Sequence, residues 1–422
     1  MHNLIFKKFV KLRAQLNDKD YNMSDIYLYE LLSGKKINDS QRITGFILNQ
    51  ILNFLSIITI IKCKIFKIKK LNYIIANTGN PGEIDFRARN IIKRIDLHNC
   101  INLIRNKSFV SSINFYFKYP NIIFYSGIES LFIGFKEKDN LDKIQRYKQY
   151  HKLILSTRNF FEKIIMFLNL RKILMIDDQR LYPIFLNIAS KNNIKTFGYM
   201  HYKFTKYVIP TSKYEFDNFL VWSDYFKTKL FNINKNYKKK NLFYYKTNYE
   251  KIITNNKRGK EGILYIIDQD ANLDYFQKLY NYLDKDKYNL YLKFKPQNSI
   301  NSNWKNFCRK NNIIFFENDN LHYILKKYKL SFFIASISSL LLEATLYNCL
   351  PIKIKTTNDF FDDVINDKVV QLLDLKKFKE INSLLRNMLK KKSSLIRKIS
   401  KKVWNVKNNK NNISSFCNKF NS

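Results

Sequence analysis

The strongest constraint on the fold is an alternation of short apolar runs with helical patterns between residues 262 and 354. Each apolar run has the length of a buried strand, and each segment between two runs repeats its apolar residues at helical spacing. The predicted strands cover residues 262–268, 288–294, 313–316, 331–337 and 351–354, and the predicted helices cover 273–283, 303–311, 321–328 and 340–348. Such alternation is typical of a parallel, doubly wound sheet. The second half of the chain is therefore predicted to be an α/β, Rossmann-like domain.

A similar series occupies the first half of the chain. Strand-like runs begin at Leu71 and Ile122, and a third buried strand ends at Asp177 and Asp178. A predicted helix over about 181–191 and another strand, which ends near His201, follow. Side chains at the carboxyl ends of parallel strands line the ligand crevice of open α/β sheets. The acidic pair and the histidine are therefore candidate site residues.

Composition and length predict how the 422 residues are organised into domains. At roughly 150 residues per domain, the length predicts two or three domains. We predict five segments: a helical N-terminal extension (1–66), an N-terminal Rossmann-like domain (67–231), a Lys- and Asn-rich linker (232–258), a C-terminal Rossmann-like domain (259–375), and basic C-terminal helices with a tail (376–422). Residues 408–422 are expected to be loose.

The chain is strongly basic, with 75 Lys and Arg against 34 Asp and Glu, and a net charge of +41. Such a charge first suggests a nucleic acid or an anionic membrane as partner. However, the basic residues are spread along the chain, and neither zinc-finger spacing nor an aromatic RNA-binding signature accompanies them. The abundance of Lys, Asn and Ile with few Gly and Pro also fits an AT-rich genome. Nucleic acid is thus not the favoured partner, whereas attraction to acidic substrates and lipid headgroups is expected.

Cysteine usage and the N-terminal sequence indicate a cytoplasmic protein. The five cysteines are odd in number and contain no CxxC pair, which predicts free thiols in a reducing compartment. The first residues show no continuous apolar core of a signal peptide. Residues 43–61 lack charge, and 51–61 are strongly apolar before a lysine-rich run. A buried helix, an interfacial helix anchored by those lysines, and a membrane span are the three interpretations of this segment.

Two serines open the predicted helix 340–348. Ser338 and Ser339 would present hydroxyl groups beside the first backbone N–H groups of the helix, which suits an anionic oxygen such as a phosphate. Helix capping is the structural alternative. Glu343 lies on about the same helix face as Ser339 and could bind ribose hydroxyl groups or pair with a lysine. A Walker A loop, a GxGxxG loop and an HExxH motif do not occur in the sequence, so ATPases, dinucleotide oxidoreductases and zincin-type metalloenzymes are disfavoured.

Three motifs in this order resemble a class of enzymes. An acidic pair precedes Gln179, a basic residue precedes proline at Lys295 and Pro296, and the serine pair follows. The order resembles bacterial GT-B glycosyltransferases of surface-polysaccharide synthesis, most closely the sialyltransferases, polysialyltransferases and Kdo transferases, whose motifs are D/E-D/E-G, HP and S/T-S/T. The resemblance covers roughly residues 172–355. Gln179 and Lys295 depart from the family pattern, which has glycine and histidine at those places.

The resemblance implies a GT-B fold, in which two Rossmann-like domains face each other across a cleft. Residues 67–231 would bind the acceptor, and residues 259–375 would bind the nucleotide-sugar. The implied reaction is metal-independent transfer of a sugar, with sialic acid or a related acid sugar and a CMP donor favoured, to a glycan or glycolipid of the capsule or lipooligosaccharide. The only small-molecule partner implied is the nucleotide-sugar donor, with no cofactor. The enzyme would be cytoplasmic and peripheral at the inner face of the bacterial membrane.

The resemblance and the strand-end positions together give a set of site residues. A carboxylate at a strand end can deprotonate the acceptor hydroxyl group, and Asp178 is favoured over Asp177 for this catalytic role. The predicted nucleotide-binding residues are Lys295, Pro296, Ser338, Ser339 and Glu343. The residues predicted to contact the acceptor or a phosphate are His201, Arg180 and Lys293. Asp268 and Asp270 are expected to cap the helix at Leu273.

Two other functions stay open on the sequence. A nucleotide-sugar epimerase can be built on the same two-domain fold and needs no acceptor. A non-catalytic protein that binds nucleic acid or membrane could use the Rossmann-like halves as scaffold.

Overall fold

Two parallel β-sheets organise the chain into two units. The N-terminal unit comprises Asn3–Lys246 together with Val406–Ser422, and the C-terminal unit comprises Thr247–Asn405. The computed structural model describes residues 2–16, 19–33, 44–74, 84, 86–105, 109–125, 142–176, 180–200, 204–205, 207–237, 241–245, 259–268, 271–294, 302–317, 319, 321–356, 362–406 and 412–422.

The N-terminal unit alternates strands with crossover helices after a helical start. Its first helices are α1 (His2–Ala14), α2 (Asp25–Leu32), α3 (Thr44–Ile65), α4 (Phe86–Ile92), α5 (Phe109–Lys118), α6 (Lys143–Leu168), α7 (Tyr182–Lys191) and α8 (Asp224–Ile233). Its strands are β1 (Lys70–Ile74), β2 (Ile101–Arg105), β3 (Ile122–Tyr125), β4 (Lys172–Ile176), β5 (Lys195–Tyr199), β6 (Asn218–Val221) and β7 (Leu242–Tyr244). The strands form one parallel sheet in the order β3-β2-β1-β4-β5-β6-β7.

The sequence explains why this sheet is parallel and buried. Strands such as β4, with the sequence KILMI, are apolar on both faces, so helices have to cover both sides. The strand order runs from β1 to β3 in one direction and from β4 to β7 in the other, so crossovers of the usual right hand would put α4 and α5 on one face and α6 and α7 on the other. The fully buried aromatic side chains that fill the unit include Tyr147, Phe185, Phe197 and Phe219.

Helix α3 covers the β3 edge of this sheet. It contacts the edge strand β3 and also α5 and α6. The Oγ atom of Ser56 accepts the backbone N–H of Phe124 in β3 at 3.0 Å and donates to the carbonyl group of Leu52 at 2.8 Å. An edge strand carries unpaired backbone groups that otherwise template aggregation. The helix therefore closes the edge by apolar contact and by this hydrogen bond.

The C-terminal unit contains the alternation that the sequence predicted. Its helices are α9 (Leu273–Tyr282), α10 (Ser302–Lys310), α11 (Leu321–Lys327), α12 (Leu340–Glu343), α13 (Asp362–Asn366), α14 (Ile381–Lys390) and α15 (Lys392–Val403). Its strands are β8 (Glu261–Ile267), β9 (Tyr288–Phe294), β10 (Ile314–Phe316), β11 (Leu330–Ala335), β12 (Leu350–Ile354) and β13 (Gln371–Leu373). They form a parallel sheet in the order β10-β9-β8-β11-β12-β13. The predicted fold class is confirmed in both units.

Two segments differ from the sequence-based expectation. Leu242–Tyr244, within the predicted linker, form the edge strand β7 beside β6. Ile413–Asn421, within the predicted loose tail, form the helix α16. Phe416 and Phe420 of α16 are fully buried against the ring of Phe197 in β5, so the end of the chain is an integral part of the N-terminal unit.

Two further predictions concern the cysteines and a membrane-spanning helix. All five cysteines are buried free thiols, as predicted. Burial raises the pKa of Cys100 and of Cys417 to about 12, so both thiols stay protonated at neutral pH. Among the described residues, no helix has both the length and the apolar character needed to cross a membrane.

Removal of the Ser56 hydroxyl group should destabilise the N-terminal unit. Ser56→Ala leaves the buried N–H of Phe124 without its acceptor, which costs about 1–3 kcal/mol in the free energy of unfolding. Thr59→Val is the matched control, because the buried Thr59 hydroxyl donates only to the Leu55 carbonyl group within α3. Denaturant unfolding measures both variants, and equal losses would show that the contact with β3 does not matter.

Candidate functional site

The turn after β11 carries the predicted serine pair. Residues 336–339 lead into α12, which makes one α-helical turn and continues as a 3₁₀ helix over Ala344–Tyr347, within the helix predicted over 340–348. Ser338 is buried, and its Oγ atom accepts the backbone N–H of Leu340 at 3.4 Å. Ser339 is half-buried, and its side chain does not cap the helix. Of the two serines, Ser338 contacts a helix N–H group with its hydroxyl group, and Ser339 is the more exposed.

A carboxylate from the neighbouring strand shapes this turn. Asp268 follows β8 and is 3% exposed, and its Oδ2 atom accepts the backbone N–H groups of Ser336 at 2.9 Å and Ile337 at 2.6 Å. The expected role of Asp268 as cap of α9 is wrong, because Asn272 accepts the N–H of Asp274 there. Since β8 and β11 are neighbours at the point where the strand order reverses, Asp268 fixes the turn at the usual ligand position of such sheets.

Glu343 ends α12 and is only 3% exposed. It was predicted either to bind ribose hydroxyl groups or to pair with a nearby lysine, and both roles stay predictions. A charged group inside the protein requires polar partners there. Its carboxylate therefore belongs to the interior beside the serine turn.

A buried lysine stands next to the serine turn. Lys353 lies near the carboxyl end of β12, directly beside Ala335 of β11, and is 1% exposed. Its Nζ atom is 3.6 Å from the Oδ1 atom of Asp362 and 3.5 Å from the carbonyl oxygen of Ile354. Both distances are long for an ammonium group that can donate three hydrogen bonds. A buried cation with such distant acceptors is costly, and an anionic ligand would compensate it.

The sequence analysis did not single out Lys353, although a signal was present. The strand LPIKI has to be apolar on both faces, and a lysine interrupts it. A charge within a strand that is buried on both faces indicates a special partner or a site.

The basic-Pro turn after β9 is described only in part. Lys293 near the end of β9 is 9% exposed, and its Nζ atom donates to the carbonyl oxygen of Asp319 at 2.9 Å. Burial lowers the pKa of Lys293, and the nearby Asp319 carboxylate opposes this shift. The structure thus connects Lys293 of β9 to the segment after β10. In the sheet, β9 lies two strands away from β11, which leads into the serine turn. Lys295 and Pro296 lie outside the described residues.

In the N-terminal unit, the predicted catalytic pair and the predicted acceptor- or phosphate-binding His201 follow two neighbouring strands. Asp177, Asp178 and His201 lie outside the described residues. The strand β4 ends immediately before the acidic pair, and β5 ends shortly before His201. The two strands pair in parallel, so both predicted positions follow the same edge of the sheet.

Arg180, the first described residue after the acidic pair, forms an ion pair with the N-terminal helices. Its Nη2 atom donates to both carboxylate oxygens of Glu30 in α2, at 3.0 and 2.9 Å, and its guanidinium group lies 5.8 Å from the ring centre of Tyr27. Arg180 was predicted to contact the acceptor or a phosphate. That role stays a prediction, and the structure shows that the guanidinium group joins the residues just before α7 to α2.

A buried polar cluster fixes α2 on α6. The Oδ1 atom of Asp25 accepts from Nε of Arg13 at 2.8 Å and from the hydroxyl group of Tyr147 at 3.2 Å. Ser24 connects the cluster to Nδ1 of His151 at 3.0 Å. Burial raises the pKa of Asp25, and Arg13 opposes the shift. The N-terminal helices, whose role the sequence left open, are thereby locked into the unit that contains the acidic pair.

Comparison with known proteins gives a fold and no family. No protein-family model matches the chain, and no curated protein matches its sequence. Among solved structures, the calicheamicin glycosyltransferase CalG4 is similar with a TM-score of 0.53 and 6% identity, over 84% of this chain and 95% of that chain. A UDP-N-acetylglucosamine 2-epimerase has a TM-score of 0.51 and 9% identity, over 84% and 94%. The Staphylococcus aureus MnaA–UDP structure has a TM-score of 0.50 and 8% identity, over 83% and 94%.

These similarities are structural and extend over most of each chain. They agree with the two parallel sheets described above and confirm a GT-B-like fold of two Rossmann-like domains. The finer likeness to sialyltransferases and Kdo transferases stays a prediction from the motifs.

The Glu30–Arg180 ion pair should contribute measurably to stability. Its side chains are 11% and 23% exposed, so a double-mutant cycle with Glu30→Gln and Arg180→Gln should give a coupling energy of about 1–2 kcal/mol by denaturant unfolding. The Lys355–Asp374 pair, whose lysine is 58% exposed, is the control and should give about 0.5 kcal/mol or less. Equal coupling energies in the two pairs would refute the anchoring role of Arg180.

Proposed function

We propose that this protein is a metal-independent glycosyltransferase that moves a sugar from a nucleotide donor to a surface glycan. The observation that carries the proposal is the buried Lys353, whose backbone lies beside Ala335 immediately before the Asp268-shaped turn at residues 336–339. This arrangement stands at the carboxyl edge of a Rossmann-like sheet, where nucleotides bind in such folds. The fold similarity to glycosyltransferase structures agrees with the proposal.

The chemistry of the C-terminal unit suits a departing nucleotide. Negative charge develops on the leaving phosphate during glycosyl transfer, and fixed positive charge at that place lowers the barrier. Lys353 would supply this charge, the Ser339 hydroxyl group would donate a hydrogen bond, and Lys295 and Pro296 of the basic-Pro turn would complete the phosphate contacts. Glu343 would bind the ribose. Cationic side chains in this role remove the need for a metal ion.

The donor is proposed to be CMP-activated, and the sugar to be sialic acid or a related acid sugar. The motif order supports this choice, since the acidic pair, the basic-Pro turn and the serine pair follow the sialyltransferase and Kdo transferase pattern. The bound nucleotide named for MnaA is UDP, so UDP is the donor class to compare.

The acceptor is proposed to be a glycan or glycolipid of the capsule or lipooligosaccharide, at the inner face of the bacterial membrane. Asp178 would take the proton from the acceptor hydroxyl group, with Asp177 beside it in sequence. His201 and Lys293 are proposed to contact the acceptor or a phosphate. Arg180 would position the acidic segment through Glu30.

A nucleotide-sugar epimerase is the second candidate, and the fold similarity to a UDP-N-acetylglucosamine 2-epimerase favours it. An epimerase converts the donor without an acceptor. NMR of each nucleotide-sugar incubated with the protein alone separates the two functions, because only an epimerase would produce a new sugar isomer there. Tight, salt-dependent RNA or DNA binding without nucleotide binding would instead indicate the non-catalytic alternative.

Lys353 should be required for nucleotide binding but not for folding. A thermal-shift screen of the full chain with CMP, CDP, UDP and GDP should show stabilisation, with CMP giving the largest shift. Lys353→Met should weaken binding of that nucleotide about tenfold or more, since a buried charge contact is lost. The melting temperature without ligand should stay equal or rise, because a poorly compensated buried cation is removed.

Lys355→Met is the matched control for this variant. Lys355 lies two residues further along the chain, is 58% exposed and pairs with Asp374 at 3.0 Å. It should bind the nucleotide as the unsubstituted protein does. Normal nucleotide affinity in Lys353→Met would exclude Lys353 from the site.

Asp178 should be required for transfer. Asp178→Ala should lower kcat about 10²–10⁴-fold with nucleotide affinity retained, since a general base contributes a factor of this size. Asp177→Ala tests the neighbouring carboxylate in the same assay of sugar transfer. Normal transfer rates in both variants would show that neither carboxylate is the base.

A further inference from the structure

The outward face of α3 is more apolar than the face it buries. The residues turned toward the unit are Leu52, Ser56, Thr59 and Cys63, which are at most 6% exposed. The exposed residues on the opposite side are Ile51 (44%), Phe54 (62%), Ile57 (54%), Ile58 (43%), Ile61 (52%) and Ile65 (69%). At about 100° per residue, this exposed stripe is centred opposite the buried one. A surface helix in water normally shows the reverse distribution.

Neighbouring helices extend the apolar surface. Val110 and Phe117 of α5 are 64% and 83% exposed, and Phe160, Met166 and Phe167 of α6 are 60%, 57% and 50% exposed. Helix α3 contacts both α5 and α6, and Nζ of Lys64 lies 4.8 Å from the ring centre of Phe167. Among the described residues, 12 of the 17 large hydrophobic side chains that are exposed belong to these three helices or to Phe66, which follows α3.

Positive charges surround this apolar surface. On the helical wheel, Lys62 and Lys64 flank the exposed stripe of α3 on its two sides. Lys118 at the end of α5 and Lys163 between Phe160 and Phe167 on α6 are also exposed. The sequences of the three helices contain one acidic residue, Glu162, which is paired with Arg158 at 2.7 Å. The surface therefore has an apolar centre and cationic flanks.

We propose that this α3 surface docks on an anionic lipid bilayer, with α3 lying in the plane of the interface. An exposed apolar stripe along a helix, with further exposed apolar residues on the two helices it contacts, marks an interaction site. An apolar face flanked by lysines matches the acyl chains and the anionic headgroups of a membrane, whereas a neutral apolar partner would leave the lysines without counter-charges.

The inference deepens the proposed function and rests on it in one respect, which is that the acceptor is a glycolipid anchored in a membrane. Lipid binding itself requires neither donor nor acceptor. Docking through α3 would keep the N-terminal unit, which contains Asp177 and Asp178, at the membrane where such an acceptor is anchored.

Vesicle flotation with the full chain tests the inference. The unsubstituted protein should float with vesicles of phosphatidylglycerol and phosphatidylethanolamine, and should bind phosphatidylcholine vesicles less, with binding that falls as salt rises. The triple variant Phe54→Ser, Ile58→Ser, Ile61→Ser should lose at least about tenfold of its partition coefficient. Lys62→Gln with Lys163→Gln should lose binding to the anionic vesicles while weak binding to phosphatidylcholine persists.

A matched control uses exposed apolar residues of the C-terminal unit. Ile314→Ser with Tyr323→Ser removes side chains that are 45% and 51% exposed, and should leave flotation unchanged. Circular dichroism and thermal unfolding confirm that each variant is folded.

Three results would overturn the inference. The first is the absence of binding to anionic vesicles by the unsubstituted protein, and the second is equal flotation of the α3 triple variant. The third is a dimer, measured by light scattering, that the triple variant converts to a monomer, because the face would then bind a second copy of this chain. Nucleotide binding and transfer to a soluble acceptor are measured in parallel without vesicles, so failure of the proposed function is distinguishable from failure of docking.

Discussion

A parallel β-sheet requires helices on both faces, and most of this structure follows from that requirement. The strands are buried almost throughout, and the crossover helices occupy the chain between them. Because the faces are covered, ligand chemistry is restricted to the ends of the strands. The serine turn, Lys353 and Arg180 all stand at or just beyond a carboxyl end. Helix α3 in turn covers the edge strand β3, and Ser56 of α3 accepts a backbone N–H group of that strand.

Carboxylates have a structural use in this strongly basic chain. Asp268 joins β8 to the end of β11 by accepting two backbone N–H groups. Asp217 joins β6 to β5 by accepting the N–H and the hydroxyl group of Thr196 at 2.8 and 2.9 Å. Asp25 and Glu30 hold the N-terminal helices to α6 and to the start of α7. Acidic side chains thus fix loops and helices around the sheets.

Local patterns in the sequence were sufficient for the fold class and for most elements. The strands β8, β9, β11 and β12 and the helix α7 were predicted within a few residues, since the strands are uninterrupted or nearly uninterrupted apolar runs and the helix has apolar residues at helical spacing. Strand β7 was missed because three residues in a Lys- and Asn-rich segment show no period. Helix α16 is short, and its burial depends on Phe197 more than 200 residues earlier in the chain.

The candidate site was harder to predict than the fold for the same physical reason. Ser338, Ser339 and Glu343 belong to one local turn, so the sequence brought them together. The partners Asp268 and Ser336 are 68 residues apart, and Glu30 and Arg180 are 150 residues apart. Hydrogen bonds over such separations follow from tertiary packing and leave no local pattern. Lys353 was missed for a different reason, since its charge in an apolar strand is visible without knowledge of the fold but was not singled out.

The position of α16 affects how the protein is made. Phe416 and Phe420 cover Phe197 in the middle of the N-terminal sheet, yet they follow the whole C-terminal unit in the chain. During synthesis, the apolar patch around β5 stays uncovered while more than 200 further residues are added, on the order of ten seconds or more at bacterial elongation rates. The N-terminal unit therefore begins to fold before the C-terminal unit is made, but it is completed only after α16 has been synthesised.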